Sequence, residues 1–198
     1  MGEYRCEGIS NVKGGTYDKL HTEGIFNASG PIEANYVSGE GVMNFTSLST
    51  EALFLEGVTN IKSTLEAVTC NIEGVLNAAE IIVAENINSD GVINANRLKA
   101  KSATLLHNSK KEFSEPFAKI RAFFSGRDVQ DEKNARIHEI EADTLVLEGY
   151  SVKKITGRDV IIGKNCIVGA VQADTKLRIH STAQVKDLGL SVQPEYFE

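Results

Sequence analysis

One short phrase recurs six times between Glu7 and Asn94: an acidic residue, Gly, then Ile or Val, any residue, and Asn. It opens as Glu7-Gly8-Ile9-Ser10-Asn11 and closes as Asp90-Gly91-Val92-Ile93-Asn94. Between these, Gly24 precedes Asn27, Gly41 precedes Asn44, Gly57 precedes Asn60 and Gly74 precedes Asn77. Successive glycines stand 16 or 17 residues apart. Self-similarity at so constant a period marks a repeat architecture and outranks any local propensity.

The columns identify the unit. After each Gly comes a β-branched residue, Ile9, Ile25, Val42, Val58, Val75 or Val92, and four after it comes Val12, Ala28, Phe45, Ile61, Ala78 or Ala95. Further apolar positions fall at Ile32, Leu48, Leu65, Ile81 and Leu98, and again at Val37, Phe54, Cys70 and Ile87. A repeat this short cannot hold a helical hairpin and lacks the Leu-Asn pattern of a leucine-rich repeat. The expected fold is therefore all-β, a parallel β-helix (β-solenoid) of about 16–17 residues per coil with three short strands per turn.

Two columns invite a physical explanation. Corners every five or six residues call for positive φ, which Gly and Asn tolerate, so both columns are expected at corners. Asn side chains stacked on successive coils, about 4.8 Å apart, are also close enough to form an amide ladder. The acidic column Glu7, Glu23, Glu40, Glu56, Glu73 and Asp90 is less comfortable, because hydrated carboxylates at about 5 Å repel by about 1 kcal/mol. A solvated edge accepting turn amides accounts for it. A cation-binding or partner-docking stripe is the sharper alternative, although the Gly-Gly-x-Gly-x-Asp nonapeptide of calcium rolls is absent.

Past Asn94 the pattern fades and breaks at Asn108-Ser109-Lys110-Lys111. Ser114 suits a helix cap, Glu115 and Pro116 its first turn, Phe117, Ile120 and Phe124 one face, and Gly126 its end. Residues 108–134 are thus expected to be a short helical insert, separating an N-terminal β-helix (1–107) from C-terminal coils and a tail (135–198). Phe113, Phe117, Phe123 and Phe124 are more apolar surface than a connector needs and are candidates for packing or a subunit contact. Beyond the insert, Leu145/Leu147, Val160/Ile162 and Leu177/Ile179 align at spacings of 15 and 17. Cys166/Val168 and Ala183/Val185 align at 17, and residues 189–198 read as a tail.

The net charge of −6 argues against nucleic acid and anionic lipid as partners. The longest apolar run, Ile81-Ile82-Val83-Ala84, is too short for a transmembrane anchor, and no signal-peptide core is present. Cys6, Cys70 and Cys166 are odd in number and widely spaced, which suits a reducing cytoplasm, with Cys70 and Cys166 as buried hydrophobes. No catalytic motif is evident, and His21, His107, His138 and His180 are scattered. No cofactor is implied.

The Glu-Gly-Val-x-Asn coils, the period near 17, and the resumption through Thr144-Leu145-Val146-Leu147 and Gly157-Arg158-Asp159-Val160-Ile161-Ile162-Gly163 resemble the bactofilins, bacterial polymer-forming cytoskeletal proteins, in their bipartite Gram-positive form. The resemblance spans roughly residues 7–186. It implies a right-handed, triangular β-helix that assembles end to end without nucleotide, as a cytoplasmic scaffold for envelope or cell-shape proteins. Physics points the same way, since a β-helix exposes unpaired backbone groups at each end and such edges pair with other chains unless capped. Two alternatives come from other classes. Ile162-Gly163-Lys164-Asn165-Cys166-Ile167 matches one hexapeptide of the left-handed β-helix acyltransferases, with His138 or His180 as the required base. A cation-binding surface β-solenoid would use the acidic column.

Overall fold

A computed structural model of the chain describes residues 2–107, 135–189 and 191–198. The helix expected over 114–126 and the four insert phenylalanines lie outside the described residues. Among those described there is no helix. The chain winds as a β-solenoid whose coils pair in parallel throughout.

After β1 (Glu3–Cys6), four-residue and eight-residue strands alternate: β2 (Ile9–Val12), β3 (Gly15–Thr22), β4 (Ile25–Ala28), β5 (Ile32–Gly39), β6 (Val42–Phe45) and β7 (Leu48–Leu55). Three strands of 15 residues follow, β8 (Val58–Ile72), β9 (Val75–Ser89) and β10 (Val92–Leu106), each carrying the backbone around a whole turn. Beyond the insert come β11 (Ala135–Glu148), β12 (Tyr150–Ile162), β13 (Ile167–His180), β14 (Gln184–Leu188) and β15 (Glu195–Phe197). Register gaps divide each turn into three paired segments, as in 58–61, 64–67 and 69–72 of β8. The solenoid is three-sided for that reason.

Inside, the aliphatic ladders run the whole length. Ile32, Leu48, Leu65, Ile81, Leu98, Ile140, Ile155 and Val171 stack in register, and each is at most 2% exposed. Burying each such side chain is worth about 1.5–3 kcal/mol, so these ladders carry most of the fold's driving force. β10 and β11 pair directly, with Ala95 beside Ile137 and Leu105 beside Leu147. The sheet therefore runs on across the insert as one stack.

Five expectations need correction. The Gly column is not a set of positive-φ corners. Gly14, Gly15 and Gly149 are the described glycines with positive φ, and Asn165 is the one such non-glycine. What the column needs is the absence of a side chain: a Cβ on Gly24, Gly41, Gly57, Gly74 or Gly91 would stand 1.9–2.2 Å from the carbonyl oxygen of the Gly one coil earlier. That oxygen accepts the next amide along, as in Val58 N–H to Gly41 O and Val75 N–H to Gly57 O, both 2.9 Å. The bond draws the coils together at the corner and leaves no room for a methyl group. The Asn column, likewise, lies within strands rather than at corners.

The position between the β-branched residue and Asn is not free either. Phe26, Met43, Thr59, Leu76 and Ile93 occupy it, and all five are fully buried. Phe54 does not belong to the core: Leu53 stands in register with Val37 and Cys70, while Phe54 is 40% exposed and stacks on Tyr36 with ring centroids 5.4 Å apart. The coil from Gly41 to Gly57 is one residue shorter than its successor, which shifts the inward position back by one. Finally, residues 189–198 are more than a tail, because β15 pairs with β13 beside β14 and the two make a partial last coil.

At the seam between the halves, small Ala135 stands in register with Tyr150. Tyr150, only 1% exposed, uses the space to donate its hydroxyl to Gly91 O at 3.1 Å, the last carbonyl of the Gly column. Burial raises its pKa well above the usual phenol range, with hydrogen bonding to Ser89 pulling the other way. On the outer face Arg97 bridges Glu80 (3.7 Å) and Glu141 (3.3 Å), and Lys99 holds Glu141 at 2.8 Å. The Lys99 hydrogen bond heads the causes that lower the Glu141 pKa.

Candidate assembly interface

The repeat columns act on each other from coil to coil, so their character changes only where a coil is missing. In the Asn column each side chain donates Nδ2–H to Oδ1 of the coil before: Asn27 to Asn11, Asn44 to Asn27, Asn60 to Asn44, Asn77 to Asn60 and Asn94 to Asn77, all at 2.8–2.9 Å. The far end is closed, because Asn94 Oδ1 accepts the backbone N–H of Arg136 at 3.2 Å. The near end is open. Among the described residues, Asn11 Nδ2 donates to nothing.

The first coil is open in two further ways. A Cβ on Gly8 would meet nothing within 4 Å, although every later Gly of the column is hemmed in by backbone. Ile9 is 74% exposed, whereas its counterparts Val58, Val75 and Val92 are buried. Strand β2 pairs only with β4 among the described residues, so one backbone edge from Ile9 to Val12 faces outward. Gly8, Ile9 and Asn11 together form a coil edge against which no other described residue stacks.

The hydrophobic interior is better covered at this end than its backbone. Tyr4 packs edge-on against Tyr17 (5.5 Å) and Phe26 (5.9 Å), and its hydroxyl bonds to Ser10 Oγ. Arg5 pairs with Glu7 at 3.0 Å and Glu23 at 2.8 Å, and His21 Nε2 is 2.9 Å from Glu23. The His21 hydrogen bond and then Arg5 lower the Glu23 pKa. These side chains sit on the first two rungs of the acidic column. No other ion pair engages Glu40, Glu56 or Glu73 among the described residues, and those three stand exposed in solvent.

The opposite end is dressed differently. β15 lies on the second half of β13, with Arg178, Ile179 and His180 beside Glu195, Tyr196 and Phe197. The ring of Phe197 meets His180 edge to face at 5.2 Å and carries the Arg178 guanidinium 4.8 Å from its centroid. β14 covers the first half of β13.

The remaining sequence candidates fall into place. His180 is buried beneath Phe197, whereas His138 lies exposed on β11, so the two are in different settings. The turn of the acyltransferase-like hexapeptide is made by Asn165 at φ 57°, with Cys166 buried behind it. Cys6, Cys70 and Cys166 are all free and buried. Burial pushes the Cys70 thiol up to about 12 and raises Cys166 as well, which removes the thiolate that reactivity requires. Arg158 and Asp159 pair at 3.0 Å as a charged corner. Among the described residues no group of three or more His, Cys, Asp and Glu side chains is arranged to hold a metal ion. No family model, no curated protein and no solved structure matches the chain.

Sequence reasoning reached the columns but not the significance of their first members. That a Cβ at Gly8 stands in open space is a fact of the three-dimensional stacking that the column itself does not reveal.

Proposed function

We propose that this protein is a non-enzymatic structural scaffold that self-assembles through the ends of its solenoid, as the resemblance to the bactofilins implies. The observation that carries the reading is the first coil, where Gly8, Ile9 and Asn11 keep the residues of a coil-to-coil contact that the other described residues do not complete. A second copy is the simplest supplier of the missing coil, because a β-solenoid end is flat, has unpaired strands and matches the geometry of its own coils. Partners on this reading are further copies of the chain and, through them, cytoplasmic envelope or cell-shape proteins.

The test uses untagged protein at physiological salt without nucleotide, followed by sedimentation velocity and electron microscopy. Wild type is expected to form filaments or sheets. Gly8→Val is expected to melt with the wild type, since its side chain projects into open space, but to sediment as small species because the added carbons occupy the docking plane. Small wild-type species at every concentration sink the scaffold reading, and unaltered filaments of Gly8→Val exclude this end as the contact.

A further inference from the structure

The three paired segments of a coil recur in fixed order, so the solenoid has a first, a second and a third side. The first side opens with β2 and closes with the start of β14, at Gln184 and Val185. The second opens with residues 15–17 of β3 and closes with Asp187 and Leu188. The third opens earlier and closes later. There β1 pairs with the end of β3 from Lys19 to Thr22, and β15 pairs with the end of β13 from Arg178 to His180. Among the described residues the third side therefore carries one strand more than either of the others.

The last coil of one copy fits the first coil of another. Gln184 stands in the Asn column, reached through Arg136, Ser151 and Ile167, and Val185 stands in the inward column that begins at Val12. Seating β2 on β14 at the ordinary strand spacing of about 4.8 Å continues both columns. The next copy's Asn11 then gives its Nδ2–H to Gln184 in the same sense as every other rung, while Val12 and Val185, each half-buried in the single chain, cover one another. On the third side the same seating brings a conflict. The next copy's β1 lies one coil below its own β3, which is the level that β15 already fills. From this register we propose that β15 is an exchangeable end strand, holding on β13 the place that β1 of a second copy takes when the two stack head to tail. On the scaffold reading above, from which this follows, the partner of the first coil is the C-terminal end of another copy, receptive only once β15 has left.

β15 is the strand that yields. Three register pairs, the Ser181 N–H to Phe197 O bond at 2.9 Å and the contacts of Phe197 with His180 and Arg178 hold it. β1 has four register pairs, the Tyr4 ring against Tyr17 and Phe26, a buried Cys6 and the Arg5 bridges to Glu7 and Glu23. Tyr196 stands on the inward rung of Ile179 yet is 65% exposed, so β15 closes the interior poorly. Charge works the other way. Followed coil by coil, the rung of Arg5 is that of Arg178, where Glu195 Oε2 now lies 3.3 Å from Nε. Exchange sets two guanidinium groups side by side in place of that pair, which opposes it. A single chain therefore keeps β15, and the stacking gained on the other two sides drives its release, so growth sets in only above a threshold concentration.

Full-length chains with β15 locked or loosened test the exchange. Arg178→Cys with Glu195→Cys places two thiols on outward-facing register partners, within reach of a disulfide. Oxidised, this chain is expected to stay small in sedimentation velocity, and to grow once reduced. Phe197→Ala loosens β15 without touching the first coil. Its growth is expected to begin at about one tenth of the wild-type concentration, and to vanish when Gly8→Val is added. Equal growth of the oxidised and reduced chains, a Phe197→Ala onset at the wild-type value, or Phe197→Ala growth that survives Gly8→Val overturns the exchange. Wild-type filaments indifferent to every change at β15 leave the scaffold reading standing without it, whereas wild-type, reduced and Phe197→Ala chains that all stay small remove both.

Discussion

The two halves of the solenoid share one interior and turn the same corner by opposite means. Before the insert, the corner is a Gly pressed against the carbonyl of the coil before it, with no positive φ anywhere in the column. After the insert, the equivalent corner falls on Gly149 at φ 75° and Asn165 at φ 57°, the left-handed geometry that the sequence suggested for the first half. The outer Asn column changes as well, giving way to Arg136, whose N–H meets Asn94 Oδ1, and then to Ser151, Ile167 and Gln184 in register with it. The aliphatic ladders cross the boundary unbroken. Core burial therefore sustains the fold in both halves, and the strict outer columns are a property of the first half alone.

The first half is most vulnerable at the middle of its Gly column. Gly57→Ala places a methyl carbon 2.0 Å from Gly41 O and 2.7 Å from the Glu40 carbonyl, and is expected to cost about 3 kcal/mol in urea unfolding. Gly8→Ala, the same change in the same column, is expected to lie within about 0.5 kcal/mol of wild type because nothing stands near its Cβ. Equal costs would show that the column is about backbone conformation after all.

A smaller effect sharpens the role of the ladder. Asn60→Ala removes one bond given to Asn44 and one taken from Asn77, both 2.9 Å, and is expected to cost about 1–2 kcal/mol. Ser151→Ala, in register with the same column beyond the insert, is expected to change thermal stability by less than about 0.5 kcal/mol. If both are silent, the Asn column has another purpose than holding coils together.

The smallest effect has the opposite sign. Thr59 is completely buried in the inward column between Met43 and Leu76, and its hydroxyl has no partner. Thr59→Val keeps the shape and deletes the orphan oxygen, so a gain of about 1 kcal/mol is expected from chemical denaturation. A loss would mean that the hydroxyl is satisfied in solution.

What the sequence made legible follows from how each column is enforced. Gly and Asn were easy to see because each acts on an identical residue one coil away, so any substitution breaks two contacts. The inward position of Phe26, Met43, Thr59, Leu76 and Ile93 looked variable because the core asks there only for volume, and residues as unlike as Thr and Phe supply it. Strand parity was the available signal: with Ala28 and Phe45 pointing inward, the residues two before them had to do the same. The slip at Phe54 came from a single residue of coil length, which reverses facing beyond it. The His180 cap was out of reach, since it depends on β15 returning to β13 across residues with no repeat signature.

The Asn ladder has one more consequence, an electrical one. All five of its bonds run in the same sense, so six amide dipoles lie head to tail along the axis, each polarising the next. Their negative end is neutralised by the Arg136 amide, and their positive end emerges at Asn11. The first coil thus presents a directional field and not merely a flat edge. A carbonyl-bearing surface is drawn to it, while a second Asn11 approaching amide-first is turned away.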